Sequence, residues 1–162
     1  PSGFGKTTFC KILAGYEQPD EGQVLLDGKP LSEYKGYCPV QLIWQHPQEA
    51  VNPRRKMKTV LEEGGVLDER LIHGLGIEKE WMERYPGELS GGELQRFCIA
   101  RALGEKTSFL LADEITAMLD LITQSQIWNF LLEEVRSREI GLLVVSHSEP
   151  LLQRICTGRI QL

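Results

Sequence analysis

An α/β fold, built on a mostly parallel sheet flanked by helices, is predicted by three features of this 162-residue sequence. Short apolar runs of strand length alternate with helical patterns through the second half, a glycine-rich opening leads straight into a helical pattern, and the middle of the chain carries helical patterns of its own. The opening helix should begin at residue 6 or 7, with Phe9, Ile12 and Leu13 at helical spacing and Gly15 placed to cap its end. Residues 23–26 read as a strand, Asp27-Gly28 as a tight hairpin turn and 29–32 as the antiparallel return. Residues 40–45 form another apolar strand, closed by His46-Pro47 and followed by a loop containing Asn52-Pro53-Arg54-Arg55. Helical patterns over 59–73 and 78–85, parted by Gly74 and Gly76, end at Pro86-Gly87.

Beyond this break, 90–103 is helical, and 109–112 is a continuous apolar run of the kind covered on both faces. A helix over 122–138 sets Ile127, Phe130, Leu131 and Val135 on one face. Residues 142–145 read as a second buried strand, and a last strand is expected just before Leu162. The β–α alternation implies parallel pairing. With no internal repeat or linker, the whole of 1–162 is expected to be one domain: 1–52 the phosphate loop and a partial antiparallel β-subdomain, 53–88 a helical insertion, and 89–162 the remaining sheet and helices.

Composition narrows the function. The length suffices to bury about two-thirds of the surface the unfolded chain exposes. Cys10, Cys38, Cys98 and Cys156 form no C-x-x-C pair and sit singly among apolar residues, the usage of small buried hydrophobes in a reducing cytosol. No apolar run of about 18 residues is present to span a bilayer, so a soluble chain is expected. A net charge of -5 argues against a nucleic-acid partner, whose phosphates demand clustered Lys and Arg. The basic group Arg54, Arg55, Lys56 and Lys58 reads as a solvated loop in preference to a surface that meets a partner.

Three motifs carry chemistry. Pro1-Ser2-Gly3-Phe4-Gly5-Lys6-Thr7-Thr8 matches a phosphate-binding loop whose first glycine would precede Pro1. Glycines at 3 and 5 let backbone N–H groups turn toward phosphates, Lys6 supplies a point charge, Thr7 offers a hydroxyl to Mg²⁺ and Thr8 a donor to the α-phosphate. Asp113 and Glu114 follow the apolar run 109–112, at the carboxyl edge where α/β sheets bind ligands. There Asp113 is placed to hold Mg²⁺ and Glu114 to orient a water for phosphoryl transfer. In Leu89-Ser90-Gly91-Gly92-Glu93-Leu94-Gln95-Arg96, Ser90 and Glu93 form a capping box that leaves the amides of Gly91 and Gly92 open at a helix start. A capped structural helix does not explain two adjacent glycines, which cost helix stability.

This last segment resembles the signature of the ATP-binding cassette (ABC) ATPases, and the resemblance extends over essentially the whole chain. It implies a P-loop NTPase fold, ATP and Mg²⁺ as ligands, and hydrolysis at a site shared by two subunits. Ser90, Gly91, Gly92 and Glu93 then act in trans on ATP held by another chain's phosphate loop. Gln45 matches the glutamine that senses Mg²⁺ and the attacking water, Asp120 the D-loop aspartate, and His147 the switch histidine at the γ-phosphate. The stretch from Val40 to Pro47 with Asn52-Pro53-Arg54 is similar to importers of dipeptides, oligopeptides and nickel. An ATPase peripheral on the cytoplasmic face of a membrane, paired with a second ATPase and with permease subunits, is the expected assembly. The alternative is a soluble ABC ATPase of DNA repair, the ribosome or phosphonate metabolism.

Where such ATPases have Pro-Thr-Ser-Ala-Leu-Asp, this chain has Ile115-Thr116-Ala117-Met118-Leu119-Asp120. Loss of the proline and serine is expected to loosen this loop. The family's strands and adenine-stacking aromatic before the phosphate loop, and its carboxyl-terminal extension, have no counterpart in the sequence, which therefore reads as amino-terminally truncated.

Overall fold

The computed structural model describes residues 5–65 and 68–160. A parallel sheet of order β3-β4-β5 lies at its centre, made of Val40–Ile43 (β3), Phe109–Asp113 (β4) and Gly141–Val145 (β5). Period-2 alternation divides these strands between two cores. Ile43, Leu110, Ala112, Leu142 and Val144 face one way, into a cluster with Met57, Leu61, Phe97, Ile99, Ile127 and Leu131. Val40, Leu42, Leu111, Leu143 and Val145 face the other, where they meet Cys10, Ala14 and Leu31. Central β4 is therefore sealed on both sides, and each fully buried leucine there contributes about 1.5–3 kcal/mol.

Helix α1 (Lys6–Leu13) runs as expected and ends in a Schellman turn. Gly15 takes φ 76°, its N–H donates to Ile12 O and the Tyr16 N–H reaches back to Lys11 O. The hairpin is shorter than predicted, Leu25–Leu26 (β1) against Lys29–Pro30 (β2), although Asp27 (φ 52°) and Gly28 (φ 77°) make the expected turn. Pro30 cannot extend the ladder through an N–H, and the return passes into a 3-10 turn, Leu31–Glu33.

The helical middle corrects the sequence reading most. In place of one helix over 59–73 there are two, Met57–Glu63 (α2) and Glu69–Gly74 (α3). Gly65 adopts φ 68°, which ends the first, and a Cβ on Gly64 would collide with the Arg101 carbonyl. Asp68 restarts the chain as an N-cap, its carboxylate accepting from Arg70 N at 2.8 Å. The helix expected over 78–85 is a 3-10 segment, Lys79–Glu83, because Tyr85 precedes Pro86 and is held extended at φ -87°, ψ 158°. The basic loop is exposed as predicted, with Lys56 paired to Glu83 at 2.8 Å. That hydrogen bond and charge hold the lysine above its ordinary range and Glu83 below its own.

Gly91–Ala102 (α4), Leu121–Ser137 (α5) and Glu149–Ile155 (α6) complete the molecule. α5 buries Ile127 and Leu131 as predicted, and also Trp128 and Glu134. β5 is only half-buried rather than buried. Its flank borders an open cavity of about 980 Å³ lined by Leu142, Val144, Leu152, Ile155 and Ile160, and among the described residues no strand pairs with its outer edge. Residues 158–160 are not a strand, and Gln161 and Leu162 lie outside the described residues. All four cysteines are free; Cys10 and Cys98 are buried, Cys38 and Cys156 half-buried. Among the described residues no helix is long and apolar enough to cross a membrane.

Candidate nucleotide and magnesium site

Gly5 opens the site. At φ 74° it occupies backbone space that favours glycine, and it caps α1 without a side-chain hydrogen bond to the first turn. Its carbonyl takes the first helical bond, from Phe9 N at 2.8 Å. The early amides of α1 are thereby left facing outward at the positive end of a helix, the arrangement that attracts an anion. Lys6 is half-buried, and Thr7 and Thr8 are exposed on this first turn. Ser2 and Gly3 lie outside the described residues.

The parallel register brings the second motif to the same place. The Thr7 hydroxyl donates to Asp113 Oδ2 at 2.7 Å, joining α1 to the end of β4 across 106 residues of sequence. Asp113 is 3% exposed. A hydroxyl and a carboxylate side by side are the hard oxygen donors that Mg²⁺ selects, the rest of its octahedron coming from water and phosphate. Thr7 and Asp113 together supply two such donors, so the pair fits an ion whose remaining ligands come from elsewhere. Beneath it on α1, burial and then the Asp113 charge push the Cys10 thiol up to about 12.

Glu114 stands in the left-handed region at φ 51°, uncommon for a residue with a side chain. Its N–H donates to Val145 O at 3.0 Å, so the ends of β4 and β5 hold the strained residue in place. Its carboxylate is 13% exposed, and Oε1 is buried with no hydrogen-bond partner. His147, exposed just past β5, places Nε2 3.8 Å from that oxygen, an ion-pair distance when protonated but too long for a hydrogen bond. An unpaired acceptor at a strained backbone position is suited to receive a hydrogen bond from a bound water. Gln45 is exposed beyond β3. Ile43 pairs with Ala112, so Gln45 continues one strand as far as Glu114 continues its neighbour.

The signature segment forms the predicted box. Ser90 Oγ accepts from Glu93 N at 3.2 Å, and Glu93 Oε2 accepts from Ser90 N at 2.8 Å. The two glycines differ. A Cβ on Gly92 would lie 2.7 Å from Leu119 Cδ2, whereas one on Gly91 would meet only Met118 Sδ at 3.8 Å and Gln48 Nε2 at 3.9 Å. Asp120 is exposed and serves as N-cap of α5, accepting from Ile122 N and Thr123 N at 3.0 Å. The Thr123 side chain first, and then these backbone bonds, hold its carboxyl below the usual range. The loop before it is not loose. Thr116 is 4% exposed, its hydroxyl takes the Trp128 indole N–H at 3.0 Å, and Gln124 Nε2 donates to the carbonyls of Thr116 (2.8 Å) and Leu119 (3.2 Å). These α5 residues replace the missing proline and serine, and nothing local in the sequence announces them.

Residues 1–117 match the ABC transporter family. The chain belongs to that family. Among its ABC relatives, the nickel import ATP-binding protein NikE of Rhodospirillum rubrum is 34% identical over 96% of this chain. The oligopeptide transport ATP-binding protein OppF of Streptococcus mutans is 30% identical over 95% of it. The chain spans 62% of the first relative's length and 56% of the second's. A dimeric ABC cassette in a post-hydrolysis state, bound to ADP and Pi, shares the fold with a TM-score of 0.80 at 24% identity, covering 93% of this chain and 73% of that one. The P-loop NTPase fold predicted from the motifs is the fold observed.

Proposed function

We propose that this chain is the ATP-hydrolysing part of a solute importer of the nickel or peptide type. It works as one of two cassettes beneath membrane permease subunits, peripheral on the cytoplasmic face. The observation that carries the catalytic reading is the convergence of Thr7, Asp113, Glu114 and His147 from α1, β4 and β5, with an unpartnered acceptor on Glu114. The importer reading is supported by the relatives named for nickel import and oligopeptide transport.

The chemistry is positional and electrostatic. The backbone amides of the phosphate loop, to which Ser2 and Gly3 belong by sequence, and the Lys6 ammonium gather the phosphates through to Thr8. Thr7 and Asp113 would hold Mg²⁺, with Gln45 beside them, and the ion would supply neutralisation of phosphate charge. Glu114 accepts a hydrogen bond from the water and aims its oxygen at the γ-phosphorus. As the new P–O bond forms, the bond to the β-phosphate oxygen breaks, the proton that the water loses passes to Glu114, and His147 stabilises charge on the γ-phosphate oxygens. Ser90, Gly91, Gly92 and Glu93 of a second cassette close the site, and Asp120 lines the junction between the two.

Glu114→Gln tests the catalytic half. It keeps shape and removes the carboxylate, so turnover should fall by about a hundredfold or more while ATP still binds and a closed dimer accumulates. ATPase activity near that of the parent would take Glu114 out of the mechanism. The importer half is tested by isolating the natural protein from membranes. Co-purification with permease subunits is expected; recovery only from the soluble fraction, with turnover intact, leaves the ATPase and removes the importer.

A further inference from the structure

Three side chains of α4 reach three carbonyls of the segment that bears Gln45. Gln95 Nε2 donates to Trp44 O at 3.2 Å, Cys98 Sγ to Pro47 O at 3.8 Å and Arg101 Nη1 to Ala50 O at 2.8 Å. The donors are spaced by three along the helix, advancing about 4.5 Å at each step along one side. The acceptors are also spaced by three. We propose that Gln95, Cys98 and Arg101 form a positioning rail that fixes residues 44–50 to the signature helix and so sets where Gln45 stands over the nucleotide.

The acceptors are all backbone, so the rail holds the position of the segment whatever side chains it carries. Gln95 is 4% exposed, and its Oε1 is buried without a partner. An amide half-satisfied in an apolar core is poor for stability, and leucine would fill the space without an orphaned acceptor. What leucine cannot supply is the donor to Trp44 O. Burial pushes the Cys98 thiol up to about 11, which keeps the proton it donates. Pro47 is buried and begins a 3-10 turn, Pro47–Glu49, so the middle of the rail lies against a stiff backbone. Because α4 begins immediately after Ser90, displacement of 44–50 passes to the signature turn as a shift of one body.

This inference rests on the proposed ATPase and on Gln45 acting in it, and the test separates the two. In the natural protein, Gln95→Leu, Gln45→Ala and their double variant are compared for kcat over a Mg²⁺ titration, for binding of a fluorescent ATP analogue and for Tm. Gln95→Leu should lower kcat about tenfold or more, as loss of a supporting contact behind a metal site does, with analogue binding and Tm close to the parent. The double variant should be no slower than the slower single, because both changes act through one side chain. Arg101→Lys, which keeps a cationic donor, should retain turnover that Arg101→Met loses, and this pair carries the test if Gln95→Leu folds poorly. A slow Gln45→Ala beside Gln95→Leu and Arg101→Met at the parent rate, or effects that multiply in the double variant, overturns the rail alone. Parent turnover in Gln45→Ala overturns both the role of Gln45 and the rail.

Discussion

The signature glycines show how one missing methyl group can have two different causes. At position 92 the space a Cβ would take belongs to Leu119, so that glycine has a reason within its own chain. At position 91 ordinary contacts are all that a Cβ would meet, and the position is the first of α4. Gly91→Ala should therefore leave folding intact, or stabilise it by about 0.5–1 kcal/mol through lost freedom in the unfolded chain. Turnover should nevertheless drop at least about tenfold, because the methyl group obstructs the approach of another molecule's phosphates to the open amides. Gly92→Ala must swing the flexible end of Leu119 aside and should cost about 1 kcal/mol relative to Gly91→Ala. Thermal denaturation and steady-state ATPase assays on both variants decide this; a Gly91→Ala protein as active as the parent removes the reason for an open helix end. The capping box was legible in the sequence because both of its partners lie within four residues. The Leu119 contact, 27 residues away, was not.

Elements followed the same division between local and distant causes. α1 and α4 were legible because a glycine or a serine at a boundary supplies the cap directly, and α5 because Ile127, Phe130, Leu131 and Val135 recur on one face; its Asp120 cap was not read. The break between α2 and α3 depends on Gly64 lying against the Arg101 carbonyl, a tertiary contact that the helical periodicity of 59–73 conceals. Glu134 is the clearest case. On α5 it reads as one more polar residue, yet it is 1% exposed, with Oε1 2.6 Å from Arg70 Nη2 on α3 and Gly74 of the same helix lying against Phe130. Removing the cation from such a pair strands a buried carboxylate, whereas removing both charges leaves a core that leucine can fill. Arg70→Ala should thus destabilise by roughly 1–3 kcal/mol, the lower half being favoured because Arg70 is half exposed, and Glu134→Leu added to it should restore most of the loss. Chemical denaturation of the single and double variants measures this, and equal stability in the two would mean that the pair does not join α3 to α5.

At the scale of the whole molecule, the groups proposed to act on one ATP face different surroundings. Thr7, Asp113, Glu114 and His147 converge within one chain, held by the sheet register and by the hydrogen bond between α1 and β4. The start of α4 at Gly91 instead lies close to Met118, which is 55% exposed, and among the described residues no hydrogen bond brings it or Ser90 to Thr7 or Glu114. On the proposed reading, chemistry that needs both sets brings a second cassette to the site, each contributing what the other's site lacks. Two inactive variants then become a test of geometry. Lys6→Ala disables the phosphate loop of its own chain, and Ser90→Arg disables the signature it offers to another. In a mixed dimer one site combines both lesions, while the other combines an intact phosphate loop with an intact signature. Mixing equal amounts should place about half of the dimers in the mixed form if the chains pair at random, and turnover should reappear from a background near zero, with a maximum near equal mixing. If both groups served one chain's own site, every site in every mixture would carry a lesion. ATPase activity that stays at background across all ratios, with mixed dimers demonstrated by cross-linking of differently tagged chains, would place the signature and the phosphate loop on the same ATP within a single chain.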